Sequence, residues 1–153
     1  MQVRSYDNRE LIPEIVRLIN EGHSVTLRVK GRSMRPFLED GRDKVVLEKP
    51  ECVEVGDVVF ADTAEKGYVI HRLAAFDKQT GRCVLRGDGN LDFENCDIND
   101  VLAKVVAFVR KNDASGISVD SRRWRLYSWI WMRLLPVRRY LLAFYRICII
   151  RQR

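Results

Sequence analysis

Short runs of β-branched and aromatic residues, separated by turn-forming pieces, fill the middle of the chain. Residues 25–29 alternate between apolar and polar side chains, which is the period of a half-buried strand. Five further runs that favour strands follow, at residues 44–47, 57–61, 68–74, 82–85 and 102–110. Pieces rich in Gly, Asp and Asn lie between them and favour tight turns. Six short strands without an intervening helix predict a mainly β protein with an antiparallel sheet folded or closed on itself.

Helical patterns flank this β body, which spans residues 24–110. Apolar residues recur at three- and four-residue spacing in residues 9–21, which predicts one amphipathic helix. Two apolar stretches, residues 122–135 and 140–150, are separated by Pro136 and predict a helical hairpin. We therefore expect a folded domain at residues 1–111, a polar linker at 112–120 and a basic helical tail at 121–153.

The positive charge of the chain is concentrated in this tail. Residues 121–153 hold nine arginines and no acidic residue, whereas the preceding residues are net acidic. Because the excess of basic residues belongs to the tail, we do not expect the protein to bind nucleic acid. Arginine mixed with Trp, Tyr and Leu is typical of helices that lie in the headgroup region of a membrane. A hairpin that covers a sheet face or forms a dimer contact is the alternative.

The composition also excludes several classes of site and segment. Four widely spaced cysteines and two histidines supply no plausible zinc set, so we expect no metal, no cofactor and reduced thiols. No basic-then-apolar leader opens the chain, and the longest uncharged stretch of the tail, residues 126–132, is far shorter than the ~20 apolar residues of a membrane span. We expect a cytoplasmic protein, which would contact the inner face of the membrane peripherally if the tail is of the kind that lies in the headgroup region.

Three short segments carry residues with catalytic potential. Ser33 lies on a turn between Gly31 and Pro36, His71 lies at the centre of a strand, and Asp88 and Asp92 lie in the loop that follows the next strand. A hydroxyl, an imidazole and a carboxylate are what a serine hydrolase needs as nucleophile, base and orienting group. Taken singly, each residue has an ordinary explanation as a turn serine, a packed histidine or a loop aspartate.

In this order the segments resemble the signal peptidase and LexA-like serine peptidase superfamily. Gly31-Arg32-Ser33-Met34-Arg35-Pro36 resembles its nucleophile box, and Val55-Gly56-Asp57-Val58-Val59-Phe60 resembles the "GDVV" strand that follows. Tyr68-Val69-Ile70-His71-Arg72 resembles the general-base box, and Leu85-Arg86-Gly87-Asp88-Gly89-Asn90 resembles the "GDN" box. A histidine base, in place of the lysine of most bacterial members, resembles the endoplasmic-reticulum and spore-former type. The antiparallel β fold of the family agrees with the strand pattern.

The resemblance implies a serine endopeptidase that hydrolyses a peptide or preprotein by acyl transfer. Ser33 would be the nucleophile and His71 the base, with Asp88 or Asp92 as its support. Backbone N–H groups of Ser33 and Met34 would bind the oxyanion.

Two departures from the family keep a second interpretation open. Gly31 lacks the side-chain hydroxyl that some signal peptidases offer the oxyanion, and we expect no N-terminal membrane anchor. The alternative is therefore a weakly active or inactive peptidase-like module that binds a peptide or partner at the membrane surface.

Overall fold

A computed structural model describes the backbone of residues 8–111 and 113–150. Helix α1 (Asn8–Asn20) precedes the β body, and two helices, α2 (Arg122–Arg133) and α3 (Arg138–Ile150), follow it. The strands are β1 (Val25–Arg28), β2 (Lys44–Glu48), β3 (Val58–Thr63), β4 (Gly67–Phe76), β5 (Arg82–Arg86), β6 (Glu94–Asp97), β7 (Val101–Arg110) and β8 (Asp113–Ser118). Short 3-10 turns lie at Ile98–Asp100 and Leu135–Val137.

All eight strands belong to one antiparallel sheet in the order β1-β2-β7-β3-β4-β5-β6, with β8 also paired to β7. The predicted mainly β fold, with a helix before it and helices after it, is confirmed. Two strands were not predicted. β6 has no apolar alternation, and β8 lies within residues 112–120, the predicted linker. Both strands are polar and are held by pairing with strands that the sequence pattern does identify.

Two clusters of buried apolar side chains hold the sheet and its helices together. The larger one joins Ile15 and Ile19 of α1 to sheet residues such as Val105 and Phe108. The smaller one includes Leu73 of β4 and Leu85 of β5. Because side chains alternate along a strand, Leu73 shares a face of the sheet with His71, two residues before it.

The hairpin of α2 and α3 packs on the β body through one side of each helix. Trp124 is buried between Phe37 and Phe108, with ring centroids 4.7 and 4.2 Å away. Leu142 of α3 is buried as well. None of the helices in the described residues has both the length and the apolar character that crossing a bilayer would need. The hairpin therefore covers part of the body and leaves its other side exposed.

Candidate active site

His71 is held by a buried carboxylate that the sequence pattern did not single out. Its side chain is 3% exposed, and its Nδ1 lies 2.7 Å from Oε2 of Glu94, which is 0% exposed. Glu94 is the first residue of β6, and its second oxygen accepts a hydrogen bond from Lys66 in the β3–β4 turn. The lysine, the glutamate and the histidine thus form a continuous polar chain that runs from the surface into the sheet.

The strand register explains why Glu94 reaches the imidazole. Leu73 pairs with Leu85, and Leu85 pairs with Glu94 on the next strand. Directly paired residues on antiparallel strands project to the same face. Leu73 and His71 share that face. The side chain of Glu94 on β6 therefore lies on the same face of the sheet as His71 on β4, two strands away.

The environment sets the protonation states of this pair. Burial opposes the ionised form of Glu94, but hydrogen bonds from Lys66 and His71 outweigh it and place the pKa of Glu94 below its ordinary value. Burial also lowers the pKa of His71, although the charge of Glu94 acts in the opposite direction. At pH 7 the imidazole is therefore neutral and the carboxylate ionised. Because a carboxylate only accepts hydrogen bonds, we infer that Nδ1 carries the proton and that Nε2 offers its lone pair.

The turn that carries Ser33 is fixed at both ends. Gly31 has φ +95°, and its N–H donates to Oδ1 of Asp40 at 2.9 Å. After the serine, Met34 and Leu38 are buried in the larger core cluster, and the N–H of Leu38 donates to the carbonyl of Met34 at 3.0 Å. Ser33 itself is half-buried. Its position is therefore set by the packing on both sides of it, as a nucleophile requires.

The loop after β5 packs directly against this turn. The N–H of Gly89 donates to the carbonyl of Ser33 at 2.7 Å. A Cβ on Gly87 would lie 3.0 Å from the Cβ of Ser33, and one on Gly89 would lie 2.7 Å from the carbonyl oxygen of Arg32. Only glycine allows backbones to approach this closely. The two glycines therefore let the "GDN"-like loop and the turn that carries Ser33 lie in contact.

This contact brings Ser33 and His71 to the same side of the sheet. Arg72 pairs with Arg86, so the register continued by one residue places His71 opposite Gly87. Paired residues have Cβ atoms about 4.5–5.5 Å apart on one face, and Ser33 lies against the position that a Cβ on Gly87 would occupy. With this register, the two separations put the Cβ atoms of Ser33 and His71 within about 8.5 Å of each other.

The two side chains are not joined by a hydrogen bond within the described part of the chain. Catalytic hydrogen bonds are often long before a substrate binds and shorten in the complex. The structure thus places a hydroxyl and an imidazole near each other without a direct hydrogen bond between them.

Neither predicted aspartate hydrogen-bonds His71 in the part of the chain that the structure describes. Asp88 forms two hydrogen bonds of 2.7 Å with Arg72, and both side chains are buried. Arg72 follows His71 on the strand and so projects from the opposite face. Asp92 is exposed. The expectation that one of these carboxylates orients the imidazole is therefore corrected: the carboxylate in contact with His71 is Glu94.

Asp88 instead ties the loop to helix α2. Its carboxylate accepts a hydrogen bond from the Tyr127 hydroxyl at 3.2 Å, and its carbonyl accepts one from Nε1 of Trp131 at 3.2 Å. Arg72 donates to Ser128 as well and to the carbonyl of Gly56 at 3.0 Å. The Arg72–Asp88 pair thus fixes the loop that touches Ser33.

Two kinds of donor are available for an oxyanion. In the part of the chain that the structure describes, the N–H groups of Ser33 and Met34 donate to no other group. The Nδ2 of Asn90 would lie 2.9 Å from a Cβ on Gly87, beside which Ser33 also lies. Asn90 Nδ2 and the Cβ of Ser33 are therefore within about 6 Å of each other. The sequence pattern included Asn90 in a motif but gave it no role.

No family model matches the chain, and the search of curated proteins found no match. Among the side chains that the structure describes, at residues 11–111 and 116–148, no three His, Cys, Asp or Glu are grouped so that they could hold a metal ion.

Proposed function

We propose that the chain is a serine endopeptidase of the signal-peptidase-like type. The observation that carries the proposal is the contact between Nδ1 of buried His71 and the buried carboxylate of Glu94, with the Ser33 turn docked beside the strand position opposite His71. An anion on one ring nitrogen fixes the tautomer that a general base needs on the other.

In the proposed reaction, Ser33 Oγ attacks the scissile carbonyl while Nε2 of His71 takes the hydroxyl proton. The imidazolium is stabilised by Glu94, and the oxyanion is bound by the backbone N–H groups of Ser33 and Met34, with Asn90 as a third donor. His71 then gives the proton to the departing amine, which leaves an acyl-enzyme. Water, deprotonated by His71, releases the acid and restores the serine.

The substrate we propose is an extended peptide segment, such as part of a preprotein. β1 is an edge strand that pairs only with β2 within the described sheet, and the nucleophile turn follows β1 directly. A peptide that pairs with a free edge gains main-chain hydrogen bonds. A peptide paired with β1 would have its scissile bond directed toward Ser33.

We place this activity in the cytoplasm, because the four cysteines are free thiols and unpaired thiols suit a reducing compartment. This placement is tested by locating the full chain in fractionated cells.

The peptidase proposal is tested by incubating the pure full-length chain with a diverse peptide library and identifying products by mass spectrometry. We expect cleavage by the wild-type chain and none by Ser33→Ala or His71→Ala, with Asp92→Asn as a matched control that cleaves normally. Cleavage by Ser33→Ala would exclude the assigned nucleophile.

The second candidate is a peptide-binding module without turnover. Two observations favour it. Within the part of the chain that the structure describes, Ser33 and His71 share no hydrogen bond, and Gly31 offers no side-chain hydroxyl to an oxyanion. In that case the same library would yield no products, while peptides would bind the wild-type chain and Ser33→Ala with equal affinity.

A further inference from the structure

Helix α2 presents two different faces. Trp124, Ser128 and Trp131 recur at three- and four-residue spacing and are buried against the body. Leu126, Trp129 and Ile130 lie on the opposite side and are exposed, the first two by more than half of their surface (60% and 56%). This outward side is too apolar for a helix face that has only water as its neighbour.

Helix α3 repeats the arrangement. Leu142 is buried on its inner side, whereas Tyr140, Phe144 and Ile147 follow one another at four- and three-residue spacing and are exposed by 61%, 69% and 62%. Leu135 and Val137, in the turn between the two helices, are exposed too. We call these outward side chains of the hairpin the apolar face: Leu126, Trp129, Ile130, Leu135, Val137, Tyr140, Phe144 and Ile147.

Arginines lie beside the aromatic rings of this face. The guanidinium of Arg133 lies 4.5 Å from the ring centroid of Trp129, and that of Arg139 lies 4.6 Å from that of Tyr140. No acidic residue occurs anywhere in residues 121–153. Aromatic rings with arginines beside them, and no acids, match the chemistry of the boundary between lipid headgroups and acyl chains.

We propose that the apolar face docks on the surface of an anionic lipid bilayer. The apolar side chains would enter the acyl boundary, and the arginines would meet lipid phosphates. Charge argues against a second copy as the occupant, because pairing two such faces would bring together two segments with nine arginines each and no acid. The composition of the face argues against nucleic acid as the occupant, since the aromatic rings share the face with Leu and Ile instead of forming a basic stacking groove.

Docking would place the candidate active site near the membrane. The inner side of α2 holds Asp88 through Tyr127 and Trp131, and Asp88 belongs to the loop that contacts Ser33. Membrane-bound or freshly exposed peptide segments would then be presented to the site. The docking itself does not depend on peptidase activity.

The test is sedimentation of the full-length chain with vesicles made of equal parts phosphatidylglycerol and phosphatidylcholine, compared with vesicles of phosphatidylcholine alone. We expect binding to the anionic vesicles that weakens with salt. Arg139→Gln should lower the affinity for them about fivefold, and Phe144→Glu should lower it at least about tenfold. Tyr68→Glu, at an exposed aromatic residue of the β body, is the matched control and should bind like the wild type.

Tryptophan fluorescence gives a second readout that does not require a variant. Trp129 is exposed, whereas Trp124 and Trp131 are buried. Quenching by acrylamide should therefore fall when anionic vesicles are added, because docking shields Trp129.

Equal binding to both vesicle types, or unchanged binding by Phe144→Glu, would overturn the proposal. It would also be overturned if the chain did not bind vesicles and instead formed a dimer that the substitution Phe144→Glu dissociates, as measured by analytical ultracentrifugation. Because Ser33→Ala should dock normally, loss of catalysis and loss of docking are distinguishable.

Discussion

The substitution Glu94→Gln separates the charge of the buried carboxylate from its shape. The glutamine keeps an oxygen that can accept the proton of Nδ1, so the imidazole remains oriented while the negative charge is lost. In the wild type this contact is 2.7 Å long between two buried groups. A hydrogen bond to a charged partner contributes about 1.5–3 kcal/mol. If that contribution is realised when His71 becomes an imidazolium in the transition state, its loss lowers kcat/KM about 10- to 150-fold.

The same substitution should also shift the pH dependence of kcat/KM. Burial already holds the pKa of His71 below its ordinary value of 6.5, and Glu94 is the main group that raises it. Without the carboxylate the pKa of His71 falls further. The acidic limb of kcat/KM, which lies below pH 6.5 in the wild type, should therefore move to lower pH while the plateau drops. A variant that is simply less well folded would lose activity without this movement.

The assay combines pH–rate profiles with an NMR titration of the imidazoles. The chain has two histidines, of which His23 is exposed and His71 is buried. Asp92→Asn removes an exposed carboxylate from the same loop and should change neither profile nor titration. A higher pKa of His71 in Glu94→Gln, or a full-rate Glu94→Gln enzyme beside an impaired Asp92→Asn enzyme, would refute the assignment.

Three further outcomes follow from the same geometry. The substitution Asp88→Asn leaves Arg72 buried without its carboxylate partner. This should lower the free energy of unfolding by about 3–5 kcal/mol and the Tm, measured by calorimetry, by roughly 6–20 °C. A Tm within about 1 °C of the wild type would contradict the buried pair. Acidification should destabilise the fold, because the pKa values of His71 and Glu94 are both lowered in the folded state. As the pH falls below 6.5 and then below 4.5, the unfolded chain takes up these protons before the folded chain does. A Tm that rises on acidification would contradict the two shifts. Asn90→Ala should lower kcat about 10²- to 10³-fold if its amide binds the oxyanion, with an unchanged Tm, and full activity would exclude that role.

Local patterns were sufficient for much of the fold. The alternation of β-branched residues predicted strands at residues 25–29 and 68–74, and the structure places β1 at Val25–Arg28 and β4 at Gly67–Phe76. Residues 9–21 were predicted as a helix, and α1 spans Asn8–Asn20. These elements carry their own signal because one of their faces is buried in the core. β6 and β8 carry none, since their polar sequences are determined by the strands that pair with them.

The supporting carboxylate could not be identified for a related physical reason. Asp88, Asp92 and Glu94 are close in sequence, and nothing local distinguishes them. Which of them reaches His71 depends on the register between β4, β5 and β6, a long-range property that residue spacing does not contain. Alternation along β4 places His71 and Arg72 on opposite faces, and Asp88 bonds Arg72.

The proximity of Ser33 and His71 is tested most directly by the reactivity of the thiol in the variant Ser33→Cys. A thiol close to an imidazole forms a thiolate well below the usual pKa of about 8.5. The native thiols are a workable background, because burial raises the pKa of Cys83 and raises that of Cys96 to about 12, and peptide mapping separates the exposed Cys52 and Cys148. The measurement is the rate of alkylation at position 33 as a function of pH. We expect a midpoint well below 8.5 that returns to the usual value in Ser33→Cys/His71→Ala. A midpoint near 8.5 that is the same with and without the imidazole would contradict the paired site.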